Sequence, residues 1–368
     1  MKQIYLDNCA TTPLLECAKQ VILNNIDIYY NPASSYNAAK DLMIQVERAR
    51  ESIANIINAD PSEIYFCGSG SEANTWALHH KITLASNIEH SSVKPMFTFR
   101  VESDGLADVH DFERMVKRLS YMNNLDAASC MMANNEIGVI QPIQELCSIA
   151  HRYGVSFHCD AVQAVPHMRI DVKALGVDTL SFSGHKFGGP KGVAVLYIKN
   201  GTKTYKIING GKQEHGMRGG TTNAIGILAM HAALQDTVNH MASNNIIIDT
   251  LTQQIQENLM NINDVTLNVN PTKIACINGV LSVRINHVAA SDLIAMADQY
   301  GIMISSGSAC HEGSSVPSHV LKAIGLTDDQ ANSTIRISIG VCNNIQDIQY
   351  VNQLLPNIVD RLRKMRNS

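Results

Sequence analysis

Lys186 stands where an apolar strand gives out. Val177 to Phe182 reads as a buried strand, and the next residues are Ser183, Gly184, His185 and Lys186, small and ionisable groups where a core should stop. Gly188, Gly189 and Pro190 force a turn before a second strand, Gly192 to Ile198. A lysine at a strand end, beside a histidine and in a glycine-lined turn, can be partly desolvated. Desolvation favours the neutral amine, and a neutral amine can add to a carbonyl to give a Schiff base. Taken alone, these residues fit a surface turn with an ordinary charged lysine equally well.

Two further strand ends carry chemistry. Phe66-Cys-Gly-Ser-Gly-Ser-Glu-Ala-Asn74 reads as strand, glycine-rich turn and helix start, where Gly70 and Ser71 could present N–H and hydroxyl groups to a phosphate. The same residues also fit an ordinary helix start. His158-Cys-Asp-Ala-Val-Gln163 ends an apolar run on Asp160, which could face a protonated ring nitrogen, while Gln163 could donate to a ring hydroxylate; a helix-capping Asp is the other reading. An Asp at one strand end, a Lys 26 residues later at another and a phosphate turn upstream match what pyridoxal phosphate requires, because ring nitrogen, aldehyde and phosphate must be held by separate elements.

The elements that would position these groups alternate. Helical spacing covers Leu14 to Ile28, Asp41 to Ile57, a start near Ser71, Val109 to Leu119 and Ile143 to Tyr153. Strand patterns cover Ile64 to Cys67, Ile82 to Ala85, Ala127 to Met132, Val155 to Cys159, Leu180 to Ser183 and Val193 to Ile198. That rhythm predicts an α/β fold with a mainly parallel central sheet and ligands at the carboxyl ends of its strands. After Asn223 a long helical stretch runs to Met260 with a weak break at Ser243-Asn-Asn245. A smaller α+β pattern follows: strand Val280 to Ile285, helix Ser291 to Tyr300, strands Ile302 to Ile304 and Thr334 to Ile339, and a helix from Ile345. The expected division is a large domain over 14–245 and a small one built from 1–13 and 246–368.

Composition narrows the function classes. A chain of 368 residues that is 45% hydrophobic and 17% charged can build a substantial core. The net charge of −4 gives no broad basic surface, which disfavours obligate nucleic-acid binding. No apolar stretch is long enough for a membrane span and the first residues lack a signal-peptide core, so a cytoplasmic protein without a membrane partner is expected. Nine cysteines without a C-x-x-C pair argue against a disulfide framework or a zinc module, and no metal is expected. Cys67, Cys130 and Cys159 lie in apolar runs and read as core residues.

Ordered motifs then run from end to end: Tyr5-Leu-Asp-Asn-Cys-Ala-Thr-Thr12, Asn31-Pro-Ala-Ser-Ser35, Glu89-His90, Asn134-Asn-Glu-Ile-Gly138, Asp160-Ala-Val-Gln163, Ser183-Gly-His-Lys186, Arg218-Gly-Gly-Thr221, Ser305-Ser-Gly-Ser-Ala-Cys310 and Arg336-Ile-Ser338. With these the whole chain resembles the cysteine desulfurases, fold-type I pyridoxal-phosphate enzymes of the aminotransferase class V group. The resemblance implies a homodimer that takes L-cysteine to L-alanine and leaves a persulfide on Cys310 for a sulfur-acceptor protein. By the same resemblance Lys186 binds pyridoxal 5'-phosphate covalently and moves the Cα proton, Asp160 pairs the ring nitrogen, Gln163 contacts the ring oxygen, and His90 stacks on the ring and shuttles protons. Ser71 in its Gly70 turn, Ser183 and His185 would hold the phosphate, with Thr221 contributed across the dimer. Asn135 and Arg336 would grip the substrate carboxylate.

The small, polar stretch Ser305 to Ser315 reads as an exposed loop able to carry the Cys310 thiol outward, and it resembles the subgroup that hands sulfur to proteins. Departures from the family pattern are Ser71 for Thr, Tyr36 for His, Gly188 for a bulkier residue, His311 and Glu312 after the cysteine, and clipped segments between Trp76 and Leu106. The trimming suggests a dedicated donor, as for DNA phosphorothioation or transfer-RNA thiolation, beside an iron–sulfur role. The rival readings are a selenocysteine lyase or other aminotransferase-like enzyme, in which Cys310 is dispensable, and a catalytically silent scaffold for sulfur acceptors.

Overall fold

The computed structural model describes residues 3–306 and 316–367; Cys310, His311 and Glu312 lie outside the described residues. Strands are numbered in chain order as β1 (Ile4–Tyr5), β2 (Ile64–Cys67), β3 (Thr83–Ser86), β4 (Phe97–Phe99), β5 (Ala127–Ser129), β6 (Ser156–Asp160), β7 (Thr179–Ser183), β8 (Ala194–Ile198), β9 (Val265–Leu267), β10 (Val280–Ile285), β11 (Ile302–Met303) and β12 (Thr334–Ser338). Seven of them form the central sheet in the order β2-β8-β7-β6-β5-β3-β4. Pairing is parallel from β7 through β6, β5 and β3 to β4, and antiparallel where β8 meets β7 and β2. The α/β class and the mainly parallel sheet expected from the alternating pattern are therefore present.

The strands of this sheet are short and apolar because helices cover them. The helix Val109–Tyr121 is typical: the Asp108 side chain accepts from the Asp111 amide, and Phe112, Val116 and Leu119 are buried at helical spacing. The main apolar core joins the sheet to the helices Glu16–Asn25, Asn37–Ile56 and the first half of Ala224–Met260. A second core gathers Ile4 and Leu6 with Ile248, Leu251, Ile255 and Leu259 from the far half of that same helix, and with apolar residues of β10, β12 and the helix Ile345–Asn367. β10 lies between β9 and β12, antiparallel to both, and β1 pairs with β11. No helix among the described residues is long and apolar enough to cross a membrane.

Several expectations are corrected. The helix Ala224–Met260 runs unbroken for 37 residues through Ser243-Asn-Asn245. Ser243 bonds its hydroxyl back onto the His240 carbonyl of the same helix and Asn245 reaches the His167 carbonyl outside it, so both side chains are satisfied without a break in the helix. β5 stops at Ser129 rather than Met132, although Cys130 and Met132 still donate to the His158 and Asp160 carbonyls of β6. Strands β1, β4 and β9 carry too few residues for a recognisable alternation. Gly188 has φ of +81°, and a Cβ there would run into Leu15, which explains the small residue after His-Lys-Phe. Tyr36 is exposed and packs edge-on against Tyr30 at 6.2 Å.

Candidate active site

Neighbouring strand ends bring the chemistry together. Asp160 closes β6 and Ser183 closes β7, its parallel neighbour, and Lys186 follows in a single tight turn. All three open into one cavity of about 300 Å³ at the carboxyl ends of the parallel strands, within the roughly 300–1,000 Å³ usual for small-molecule sites. Gly70, Ser71, His90, Asn135, Gln163, His185 and Arg336 line the same cavity. Thr221 does not: it is exposed, on the segment after Arg218.

One end of the cavity suits a phosphate. Ser69, not Ser71, caps the helix Gly70–Leu78, its side chain accepting from the Glu72 amide at 3.1 Å. The Ser71 hydroxyl is thereby left for a ligand, and the first-turn N–H groups of Gly70 and Ser71 have no carbonyl within the helix to bond. A side chain at Gly70 would press on Val162, so the glycine keeps this cradle open. Burial, with Lys186 and Lys191 nearby, holds the His185 ring down at about 4, hence neutral. Glu72 is held apart from the cradle, accepting from Gly68 N–H at 2.7 Å and pairing with Arg218 at 2.8 Å.

The other end is acidic. Asp160 does not cap a helix; Oδ1 accepts from the Val162 amide at 2.9 Å and Oδ2 from Asn74 Nδ2 at 2.6 Å. Between the two ends, Lys186 Nζ donates to the carbonyls of Cys9 and Ala10 at 2.6 and 2.8 Å. Burial pushes the Lys186 pKa down and Arg336 adds to this, against the opposing pull of Cys9, Asp160 and Asp7. Gln163 Nε2 shares the Cys9 carbonyl at 2.9 Å. A lysine biased toward its neutral amine, standing between an amide-and-hydroxyl cradle and a carboxylate, is a donor set that fits pyridoxal 5'-phosphate.

Asn135 and Arg336, the residues expected to grip a substrate carboxylate, lie side by side, and Asp7 joins them. Arg336 is only 2% exposed; Nη1 donates to the Asn135 carbonyl at 3.0 Å and Nη2 pairs with Asp7 Oδ1 at 2.5 Å. Sequence reasoning assigned no role to Asp7, to Asn74, or to the Cys9 and Ala10 carbonyls. It also missed Glu89, whose Oε1 accepts from Ser86 and the Met131 amide while Oε2 has no partner among the described residues. Burial pushes its carboxyl up to about 8, with Asp160 contributing, so Glu89 is largely protonated at neutral pH. His319 reaches the same wall and bonds the Glu89 carbonyl at 2.9 Å. Asn74 was the one with a signal in sequence, a polar residue on the inner side of a short apolar helix. Cys67, Cys130 and Cys159 are buried core thiols, as expected.

The fold and this donor set define a fold-type I pyridoxal-phosphate enzyme. The chain belongs to the aminotransferase class-V family, whose sequence profile matches residues 4–351. It is 35% identical to the cysteine desulfurase IscS of Methanosarcina thermophila, over 99% of this chain and 94% of that protein, and 35% identical to the IscS of Dictyoglomus turgidum, over 98% and 96%. Among solved structures it is similar to a NifS-like protein from Rickettsia africae, with a TM-score of 0.90 and 29% identity over 98% of this chain and all of that one. It is also similar to SspA in complex with cysteine, with a TM-score of 0.77 and 28% identity over 91% of this chain and 98% of that one.

Proposed function

We propose that this protein is a cysteine desulfurase that converts L-cysteine to L-alanine and leaves the sulfur as a persulfide on Cys310. The observation that carries the reading is the single cavity lined by Lys186, the Asp160 carboxylate, the Gly70–Ser71 turn and Arg336. Relatives named cysteine desulfurase match nearly the whole chain, and a similar solved structure holds cysteine.

Bound in this cavity, pyridoxal 5'-phosphate supplies an electron sink for the bonds at the substrate's Cα. Ser71, Ser183, His185 and the helix amides hold its phosphate, Asp160 its ring nitrogen and Gln163 its ring oxygen. The planar Arg336 fork takes the substrate carboxylate, with Asn135 beside it. Lys186, displaced by the substrate amine, moves the Cα proton, which a neutral amine can accept and an ammonium cannot. His90 carries a second proton. The Cys310 thiolate attacks the substrate sulfur as the C–S bond breaks, the bonding pair staying with the substrate carbon, which is protonated to give alanine. The persulfide on Cys310 passes to an acceptor protein, with iron–sulfur assembly as its proposed use.

The working unit is a cytoplasmic homodimer with a large domain over 14–245 and a small one from 1–13 and 246–368. Leu23, Ile26 and Tyr29 are 59%, 64% and 94% exposed, and Tyr29, Tyr30 and Tyr36 form one aromatic cluster. An apolar surface of this kind suits burial against a second copy, and Thr221, exposed on its own chain, would complete the partner's phosphate site.

The test is Cys310→Ser. Cysteine binding, read as a change in the cofactor's absorption, is expected to survive, whereas alanine release with a reductant present falls at least ~100-fold, because an alcohol is a poor nucleophile toward sulfur at neutral pH. A variant that still released alanine near the wild-type rate would move the assignment to a lyase that needs no cysteine.

A further inference from the structure

His90 lines the cavity and is joined to Asp160 by a chain of hydrogen bonds through Asn74 and Ser92. The Asp160 carboxylate can only accept, so the atom of Asn74 that faces Oδ2 at 2.6 Å is its amide nitrogen. Asn74 Oδ1 is then an acceptor, and it receives the Ser181 hydroxyl and His158 Nε2, the latter at 3.0 Å. His158 is buried and its pKa is pushed down to about 3, so its ring is neutral. With its proton on Nε2, its Nδ1 accepts from the Thr179 hydroxyl at 2.9 Å. Every polar atom in this buried group has a role that agrees with its neighbours.

The second N–H of Asn74 goes to Ser92 Oγ at 2.9 Å. The Ser92 backbone amide donates to His90 Nδ1 at 3.1 Å, which makes that nitrogen an acceptor, so the Ser92 hydroxyl 2.7 Å away turns its own hydrogen to it as well. Two donors on Nδ1 leave no room for a proton there. We propose that Asn74 and Ser92 are positioning residues that fix the resting His90 ring as the tautomer protonated on Nε2, and that they tie its orientation to that of Asp160. The catalytic consequence, which rests on the desulfurase reading, is that His90 first acts as a proton donor from Nε2. It becomes a base at that nitrogen only after giving the proton up, so the first proton abstraction falls to Lys186.

Among the described residues, Asp160 at the end of β6, Lys186 after β7 and His319 on the helix His319–Ala323 act on the ring's titration. Burial, Lys186 and His319 all push the ring's pKa down while Asp160 opposes them. The two hydrogen bonds onto Nδ1 act in the same downward direction, because they favour the unprotonated nitrogen.

The experiment is nitrogen-15 NMR of histidine-labelled full-length protein with its cofactor bound, the His90 signals being identified by their loss in His90→Gln. The wild type is expected to keep the proton on Nε2 between pH 6 and 8. Ser92→Ala removes the hydroxyl donor and keeps the backbone one, so it is expected to raise the pH at which the ring takes a second proton and to admit a fraction of the tautomer protonated on Nδ1, and Ser92→Thr to restore the wild-type behaviour. In turnover, Ser92→Ala lowers kcat with KM unchanged, by less than the ~100-fold or more expected from removing a proton carrier outright. Asn74→Ala gives a smaller shift of the same sign; should it fail to fold, the Ser92 pair still decides. A wild-type ring protonated on Nδ1, or a Ser92→Ala protein with the wild-type tautomer and midpoint, overturns the proposal. Failure of the desulfurase reading would appear in alanine release alone and leave the tautomer as stated.

Discussion

Arg336 reaches the cavity wall already paired, and that pairing sets what a substitution there can do. Asp7 takes one Nη and the Asn135 carbonyl the other, so the guanidinium plane is fixed before a substrate carboxylate arrives. In Arg336→Lys a single ammonium would have to serve both the Asp7 carboxylate and the substrate. With one or two charge-assisted hydrogen bonds lost, kcat/KM for cysteine is expected to fall ~10–100-fold, mostly through KM. Steady-state kinetics check this, and an unchanged KM would remove Arg336 from the substrate site. Lys186 gives the complementary expectation. Lys186→Ala should lose covalent retention of the cofactor, read by borohydride reduction and peptide mapping, and activity should drop at least ~100-fold. Tagging of a different lysine in the wild type would refute the assignment.

At the level of elements, Arg50 and Glu214 hold the edge of the sheet. The two side chains are buried, joined by two contacts of 2.8 and 3.0 Å, and Glu214 also accepts from the Phe66 amide of β2 while Arg50 lies over the Phe66 ring. Glu214 begins the segment that carries Arg218 and Thr221. Glu214→Gln leaves Arg50 buried with the partly exposed Glu47, 3.1 Å away, as its remaining carboxylate partner, so the cost is expected to fall below the about 3–5 kcal/mol of stripping a buried charge of its partner. A lowered urea midpoint is expected; a midpoint unchanged from wild type would show that Glu47 alone balances Arg50. Elements whose signal is local were legible in the sequence: β7 ends in Ser-Gly-His-Lys because the core ends there, and the apolar run, the turn and the lysine sit side by side in the chain. Elements defined by a distant partner were not. β1 is two residues long and exists because β11 lies beside it, and Asp7 finds Arg336 only after β1 and β12 are brought together. The same limit hid the role of Asn74, whose polar side chain on a short apolar helix was visible in sequence but whose partners His158 and Asp160 on β6 and Ser92 after β3 were not. The expected break in the long helix failed for the reason opposite to distance: Ser243 and Asn245 looked like breakers until their side chains found carbonyls of their own.

Across the whole molecule, the fold buries several groups that prefer to be neutral, and their balance sets how stability follows pH. His158, His167 and His185 have pKa values pushed down by burial to about 3, 4 and 4, against roughly 6.5 in an unfolded chain. Below pH 6.5 the unfolded chain therefore binds protons that the folded chain refuses, and stability falls as the pH falls. Glu89 has the opposite sign. Its carboxyl, raised to about 8, is protonated in the fold and ionised in the unfolded chain between roughly pH 4.5 and 8, so its contribution grows as the pH falls through that window. Three histidines against one carboxyl leave a net uptake of two protons on unfolding between about pH 6.5 and 5, a slope of roughly 2–3 kcal/mol per pH unit. His90 and His231, also pushed down by burial, act in the same direction. Urea unfolding at half-unit steps from pH 7.5 to 5 should show the midpoint falling steeply below 6.5. In Glu89→Gln the opposing term is absent. That variant should lose stability faster than the wild type as the pH drops toward 5, and should gain on it as the pH rises toward 8. Parallel wild-type and Glu89→Gln curves over the whole range would show that Glu89 is ionised in the fold.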